Sequence, residues 1–154
     1  MIKKTNVIEK EAILPRISGI QKNLAKLAKL SEVPLSDFVD SDEYDLAQHH
    51  LRLALEGVFH ISTHILSRIP GARAVEYKEI ARRMGEVKIV PKKFAESKLV
   101  PMAGLRNILV HAYSEIDATK FHEIISEHRP DIEEFLGYIK KVLNSPEKWD
   151  LQIN

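Results

Sequence analysis

One stretch of the chain, Leu105–Asp117, sets an arginine, a histidine and a tyrosine at fixed spacing: Arg106, His111 and Tyr113, with Asn107 beside the arginine. Arginine stays charged at any working pH and forks onto phosphate oxygens. Histidine, with an ordinary pKa near 6.5, can take or give a proton at neutral pH. Together they suit charge stabilisation and proton transfer at an anionic substrate.

The same stretch reads as a helix. Met102, Leu105, Leu109, Ala112 and Ile116 step by three and four and form a buried seam. At about 100° per residue, Asn107, His111 and Ser114 fall opposite that seam, while Arg106 and Tyr113 stack on a flank. His111 is therefore on the wrong face for a core histidine, and a histidine in so apolar a run should face something, such as another subunit. Spacing by itself still favours a structural role. Arg106 and His111 lie about 140° apart around an ideal helix, so within one chain they do not converge on one ligand. A two-fold dimer could bring both pairs into one cleft, because an isologous interface presents the same patch twice.

Other candidates carry less. Glu56, His60 and His64 stand at i, i+4 and i+8, a ladder that could start a metal site. One helical ladder rarely completes tetrahedral coordination and no HExxH is present, so polar packing is the expectation and no metal is assigned. His49 and His50 are adjacent and expected at the surface, pointing different ways; His122 and His128 are expected solvated. The six glycines are scattered singly, so no Gly-rich phosphate loop exists. No cofactor is implied.

The elements that must position these residues are helical nearly throughout. A first helix is expected over about residues 7–30, with Pro15 in a kink or near a start. A second, capped by Ser41 or Asp42, runs to Ile69 on the stripe Ala47, Leu51, Ala54, Val58, Ile61, Ile65 and Ile69, widened by Leu55, Phe59 and Leu66. Pro70-Gly71 ends it. A short helix over about 76–84 follows. Pro91 opens a fourth helix that Pro101 should kink or divide before it reaches about Ser114. A final helix runs over about 119–144, interrupted by Pro130. The expected fold class is all-α, an up-and-down bundle of four to five helices in a single domain over residues 1–154.

With 154 residues, 44% hydrophobic and 29% charged, the chain is long enough to bury a sizeable core. It has no cysteine, which excludes disulfides, thiolate nucleophiles and zinc fingers. No apolar run approaches the roughly 20 residues of a membrane span. No secretory signal is visible in MIKKTNVIEKEA, so no membrane is expected and the cytoplasm is the expected location. Net charge is only +1, but residues 78–106 hold eight basic and three acidic side chains, and residues 107–154 five and nine. A basic stretch before a candidate site favours an anionic partner such as RNA or a nucleotide; the bland alternative is a solvated face.

Arg106-(four residues)-His111-Ala112-Tyr113 resembles the R-x4-H-x-Y motif of the HEPN superfamily, and in particular the HepT-like toxins. The flanks agree: Arg106-Asn107, Leu109-Val110-His111 and Ile116-Asp117, with the long helix 42–69 and the Tyr77-Lys78 segment. The resemblance covers about residues 8–144. It implies a HEPN-like helical homodimer, the toxin of a toxin–antitoxin pair, that cleaves an RNA substrate without metal. Arg106 and His111 would be catalytic, facing their symmetry mates across the dimer cleft, with Asn107 in support. Tyr113 would be the regulatory acceptor of AMP, added by a nucleotidyltransferase antitoxin of MNT type.

The residues suit that chemistry. RNA is cleaved when its own 2′-hydroxyl attacks the adjacent phosphorus, which needs a base, an acid and positive charge at the crowded phosphate. Two symmetry-related histidines could split the proton transfers and leave a 2′,3′-cyclic phosphate. The alternative is a helical module that binds a nucleotide or partner protein without turnover; a third reading has Arg106 and His111 merely packing an interface.

Overall fold

The computed structural model describes residues 6–39, 41–111 and 116–154. Its helices are α1 (Lys10–Ser31), α2 (Leu35–Phe38), α3 (Asp42–Ser67), α4 (Tyr77–Glu86), α5 (Lys92–Phe94), α6 (Val100–His111), α7 (Ala118–Glu127) and α8 (Arg129–Asn144). A π turn, Ala95–Leu99, joins α5 to α6, and a 3-10 turn, Pro146–Trp149, follows α8.

The long helix α3 lies along α1 at the centre of the molecule and also meets α4, α6 and α7. Its buried residues are Ala47, Leu51, Ala54, Leu55, Val58, Phe59, Ile61, Ser62, Ile65 and Leu66. That is the expected stripe without Ile69, which lies past the helix end and is half-buried, and with Ser62, whose hydroxyl donates to the Val58 carbonyl. A face this wide can serve several neighbours at once, which a narrow seam could not. Ser41 stands at the N-cap of α3, but its hydroxyl donates back to the Phe38 carbonyl instead of capping the helix. Three acidic residues in the first turn, Asp42, Glu43 and Asp45, oppose the positive end of the helix dipole there.

The prolines act on the helices in different ways. Pro15 is carried inside α1. Pro130 opens α8, so the expected final helix is two helices meeting at His128. Pro101 occupies the first turn of α6, directly after the π turn. Proline cannot donate to the carbonyl four residues back, so the α ladder cannot pass through it unchanged, and the wider turn sits where the ladder breaks. The helix is not split, and α5, the π turn and α6 form a continuous rod.

Two short strands were not anticipated. Val7–Ile8 (β1) pairs in parallel with Gln152–Ile153 (β2), in the register Val7 to Gln152 and Ile8 to Ile153. Two residues per strand are too few for an alternating pattern to show. The pairing ties both ends of the described chain together and buries Ile8 completely. Among the described residues no helix is long and apolar enough to cross a membrane.

Candidate active site

Helix α6 carries the motif. Its seam is formed as expected by Met102 and Leu109, both buried, and by half-buried Leu105, with Ala103 fully buried beside them. Ala103 lies three residues before Arg106, so it turns the arginine flank toward the molecule. Arg106 is consequently 20% exposed and reaches inward across two other helices.

The guanidinium of Arg106 sits 4.4 Å from the centre of the Tyr77 ring, at the first position of α4. Tyr77 in turn stacks on Phe59 of α3, with centroids 4.9 Å apart and planes 14° off parallel. Nη2 of Arg106 donates to Oε2 of Glu56 at 3.4 Å, and Nη1 approaches Oδ1 of Asn107 at 3.5 Å. The other Glu56 oxygen accepts from Arg52 at 3.1 Å. The arginine is thus held between a carboxylate and an aromatic face, an arrangement lysine could not reproduce because it lacks the planar fork. Nε of Arg106 is buried and has no hydrogen-bond partner among the described residues.

His111 is the last residue of α6 and is exposed. No hydrogen bond or ion pair engages its ring among the described residues. Asn107 is half-buried next to Arg106. Arg106 and Asn107 therefore meet, while His111 leaves the same helix on another side. Tyr113, the expected acceptor, lies outside the described residues, as do Ala112 of the seam and Ser114. Beyond them, the Ile116 carbonyl accepts from the Tyr44 hydroxyl at 2.6 Å, and the Asp117 side chain caps α7 by accepting from the Lys120 N–H at 2.8 Å.

Sequence reading missed the partners that hold the arginine. Glu56 was weighed as a metal ligand, and Tyr77 was noted only as a familiar segment. They lie 50 and 29 residues before Arg106, so helical spacing cannot connect them. The Glu56–His60–His64 ladder is instead shared out as polar packing. His60 Nδ1 lies 2.7 Å from Nη1 of Arg16, and His64 Nε2 accepts from the Glu9 N–H at 3.1 Å. Both histidines have pKa values lowered from the usual 6.5, first by burial and then by nearby arginines: Arg16 for His60, Arg68 and Arg16 for His64.

Two further expectations change. His49 and His50 do not simply diverge: their rings meet edge to face at 5.2 Å, and half-buried His50 contacts Oδ1 of Asn23 at 3.0 Å. His122 is not solvated. Its ring packs edge-on against Phe38 at 4.9 Å, and its Nε2 lies 2.8 Å from the Val33 carbonyl.

The fold and site define an all-helical protein that carries a clamped arginine and an exposed histidine on one helix. The chain belongs to the HepT-like family, described as ribonuclease HepT-like, whose profile matches residues 20–139. It is 31% identical over 120 residues to the tRNA nuclease HepT of Aphanizomenon flos-aquae (strain 2012/KM1/D3), covering 77% of this chain and 81% of that protein. Its fold is similar to that of the tri-AMPylated Shewanella oneidensis HEPN toxin solved in complex with MNT antitoxin, with a TM-score of 0.75 and 21% identity over 84% of this chain and 97% of that one. A chain of a mutant MntA-HpeT toxin–antitoxin structure gives a TM-score of 0.72 at 21% identity, over 85% of this chain and 98% of that one.

Proposed function

We propose that this protein is the toxin of a toxin–antitoxin system, a metal-independent endoribonuclease acting in the cytoplasm as a homodimer with a composite site at the dimer cleft. Family membership supports the ribonuclease class, and a relative named as a tRNA nuclease makes tRNA the first substrate to try. The observation that carries the reading is the division of labour along α6: Arg106 is clamped by Glu56 and Tyr77, while His111 is exposed at the helix end. A site split in this way is completed by a second copy, whose His111 and Arg106 face the same cleft.

In that cleft one His111 takes the proton of the ribose 2′-hydroxyl as the oxygen attacks the adjacent phosphorus. The second copy's His111 gives a proton to the departing 5′-oxygen. The P–O5′ bond breaks as the P–O2′ bond forms, leaving a 2′,3′-cyclic phosphate and a 5′-hydroxyl. Arg106 stabilises the negative charge on the non-bridging oxygens, and Asn107 supports it. AMP carried by Tyr113, attached by an MNT-type nucleotidyltransferase antitoxin, adds bulk and negative charge where RNA enters and silences the toxin.

One observation favours a second reading, a non-catalytic nucleotide- or partner-binding module. Glu56 already occupies the Arg106 fork, so its charge is partly spoken for. The test is a matched assay of wild type and His111→Ala on total cellular RNA in EDTA, with analysis of product ends. Cyclic-phosphate ends from the wild type alone support the nuclease; an active His111→Ala, or no cleavage by folded wild-type dimer, overturns it.

A further inference from the structure

The basic segment 78–106 contributes more than Arg106. At the C-terminal end of α4 a groove of 740 Å3 opens between the α4–α5 connection, α8 and the 3-10 turn. Four lysines line it: Lys88, Lys92, Lys141 and Lys148. All four are exposed, and none forms an ion pair among the described residues. The one acidic residue in the lining, Glu86, is paired with Arg83 at 3.5 Å. Two aromatic rings stand among the lysines, Tyr138 and Trp149, both half-buried.

The groove is held in shape. Trp149 donates its indole N–H to the Lys88 carbonyl at 3.0 Å, and Lys88 adopts a left-handed backbone with φ 64°. Such a conformation costs a residue with a Cβ about 1 kcal/mol and persists where surroundings impose it. Gly85 lets α4 approach the π turn and α5: a Cβ there would come within 2.7 Å of the Ala95 Cβ and 3.3 Å of the Lys92 Cα. Lys141 lies over the Tyr138 ring at 5.6 Å.

We infer that this groove is a second RNA-binding site, one that holds the single-stranded flank of the substrate away from the scissile bond. Tyr138 is engaged by Lys141, by Phe94 and through its hydroxyl by Glu134, but Lys88, Lys92 and Lys148 are unpaired beside the half-buried Trp149 ring, and such a set suits a strand that offers both phosphates and stackable bases. An acidic protein surface would use the lysines and leave the rings idle. Helix α4 links the two sites. Tyr77 at its start touches Arg106, and Gly85 and Glu86 near its end line the groove, about 12 Å further along the helix axis. A bound strand thus spans from the clamped arginine to the lysines.

The inference rests on the ribonuclease reading for its role, and it is tested through binding alone. Trp149 is the chain's one tryptophan, so its fluorescence reports on the groove. The probe is a 2′-O-methyl oligouridylate of about 12 nucleotides, which has no free 2′-hydroxyl and cannot be cleaved. Wild type is titrated across a salt series, against Lys92→Ala/Lys148→Ala and against a charge-matched control on α1, Lys22→Ala/Lys26→Ala, each checked for unchanged melting.

The expected result is quenching of Trp149 in the wild type. The slope of log K against log salt should fall by about 0.7 for each groove lysine removed, with no fall in the control. Equal slopes in all three proteins, or equal losses in both double variants, overturn the groove. So does equal quenching by polyglutamate at the same ionic strength, which assigns it to an acidic protein. Groove-dependent binding without cleavage of cellular RNA leaves the groove standing as an RNA site and removes the nuclease reading; cleavage with unchanged slopes does the reverse.

Discussion

The two ends of the motif on α6 are built to opposite rules. Arg106 is over-determined: a carboxylate from α3, an aromatic face from α4 and the neighbouring Asn107 all constrain one guanidinium. His111, five residues on, is exposed at the helix end with no partner among the described residues. Electrostatic stabilisers work best when fixed before the reaction, because they then need no reorganisation. A group that moves protons must meet a substrate, so its reacting nitrogen has to stay accessible. The difference teaches which substitutions should disturb chemistry alone and which should disturb the fold as well.

The sharpest break of that contrast is at the exposed end. His111→Ala should reduce RNA cleavage by about 10²- to 10⁴-fold, the range for loss of a positioned acid or base. Its stability should stay within the scatter of surface changes, about 0.5 kcal/mol, because an exposed side chain is removed. Cleavage ends and a melting curve on the same preparation check both halves. A large loss of stability would show that His111 packs an interface.

At the clamped end, Arg106→Lys keeps the charge and loses the fork and the stack on Tyr77. Cleavage should fall about 10²-fold, at the lower edge for removing one transition-state donor. Here stability should fall too, by about 1 kcal/mol, since both an ion pair and a cation–π contact go. If Arg106→Lys cleaves like the wild type, the fork has no part in the reaction.

The origin of the clamp also marks the boundary of what the sequence discloses. The α3 stripe was legible because local periodicity reports burial directly: every expected stripe residue within α3 is buried in the fold. Pro91 marks a helix start because proline's missing N–H is a local fact, whereas Pro130 reads as an interruption within one helix and in the fold opens a separate one. The exposed placement of His111 was legible for the same reason. Tertiary partners have no such local trace. Glu56 is expected only in polar packing with His60 and His64, because spacing on α3 shows which residues share a face but not which helix covers that face. His122 looked solvated because its charged neighbours on α7 say nothing about the Val33 carbonyl that approaches it.

Glu56→Gln probes the clamp more gently. The amide keeps the shape and one acceptor but loses the charge that attracts Arg106 and Arg52. As a positioning change it should lower kcat about tenfold with little change in KM, and Glu56→Asp should not restore it, because the shorter side chain no longer reaches. An unchanged kcat would show that Arg106 is held by Tyr77 alone; a higher kcat would show that Glu56 restrains the arginine from phosphate.

The smallest effect concerns pH and lies behind α3, away from the motif. His64 accepts from the Glu9 N–H and has its pKa lowered from 6.5 by burial and then by Arg68, with Glu9 opposing and Arg16 adding to the fall. Folding therefore favours the neutral ring. The contribution is complete above about pH 6.5 and is lost as pH falls through the lowered native value, because protonation removes the acceptor from the Glu9 N–H. Melting temperature should decline modestly on acidification below pH 6.5, and His64→Gln, whose amide oxygen can still accept, should flatten that decline. His111→Ala should leave the decline in place, since its side chain is exposed at the end of α6. A slope that disappears in His111→Ala and survives in His64→Gln would invert the contrast between the two ends of the site.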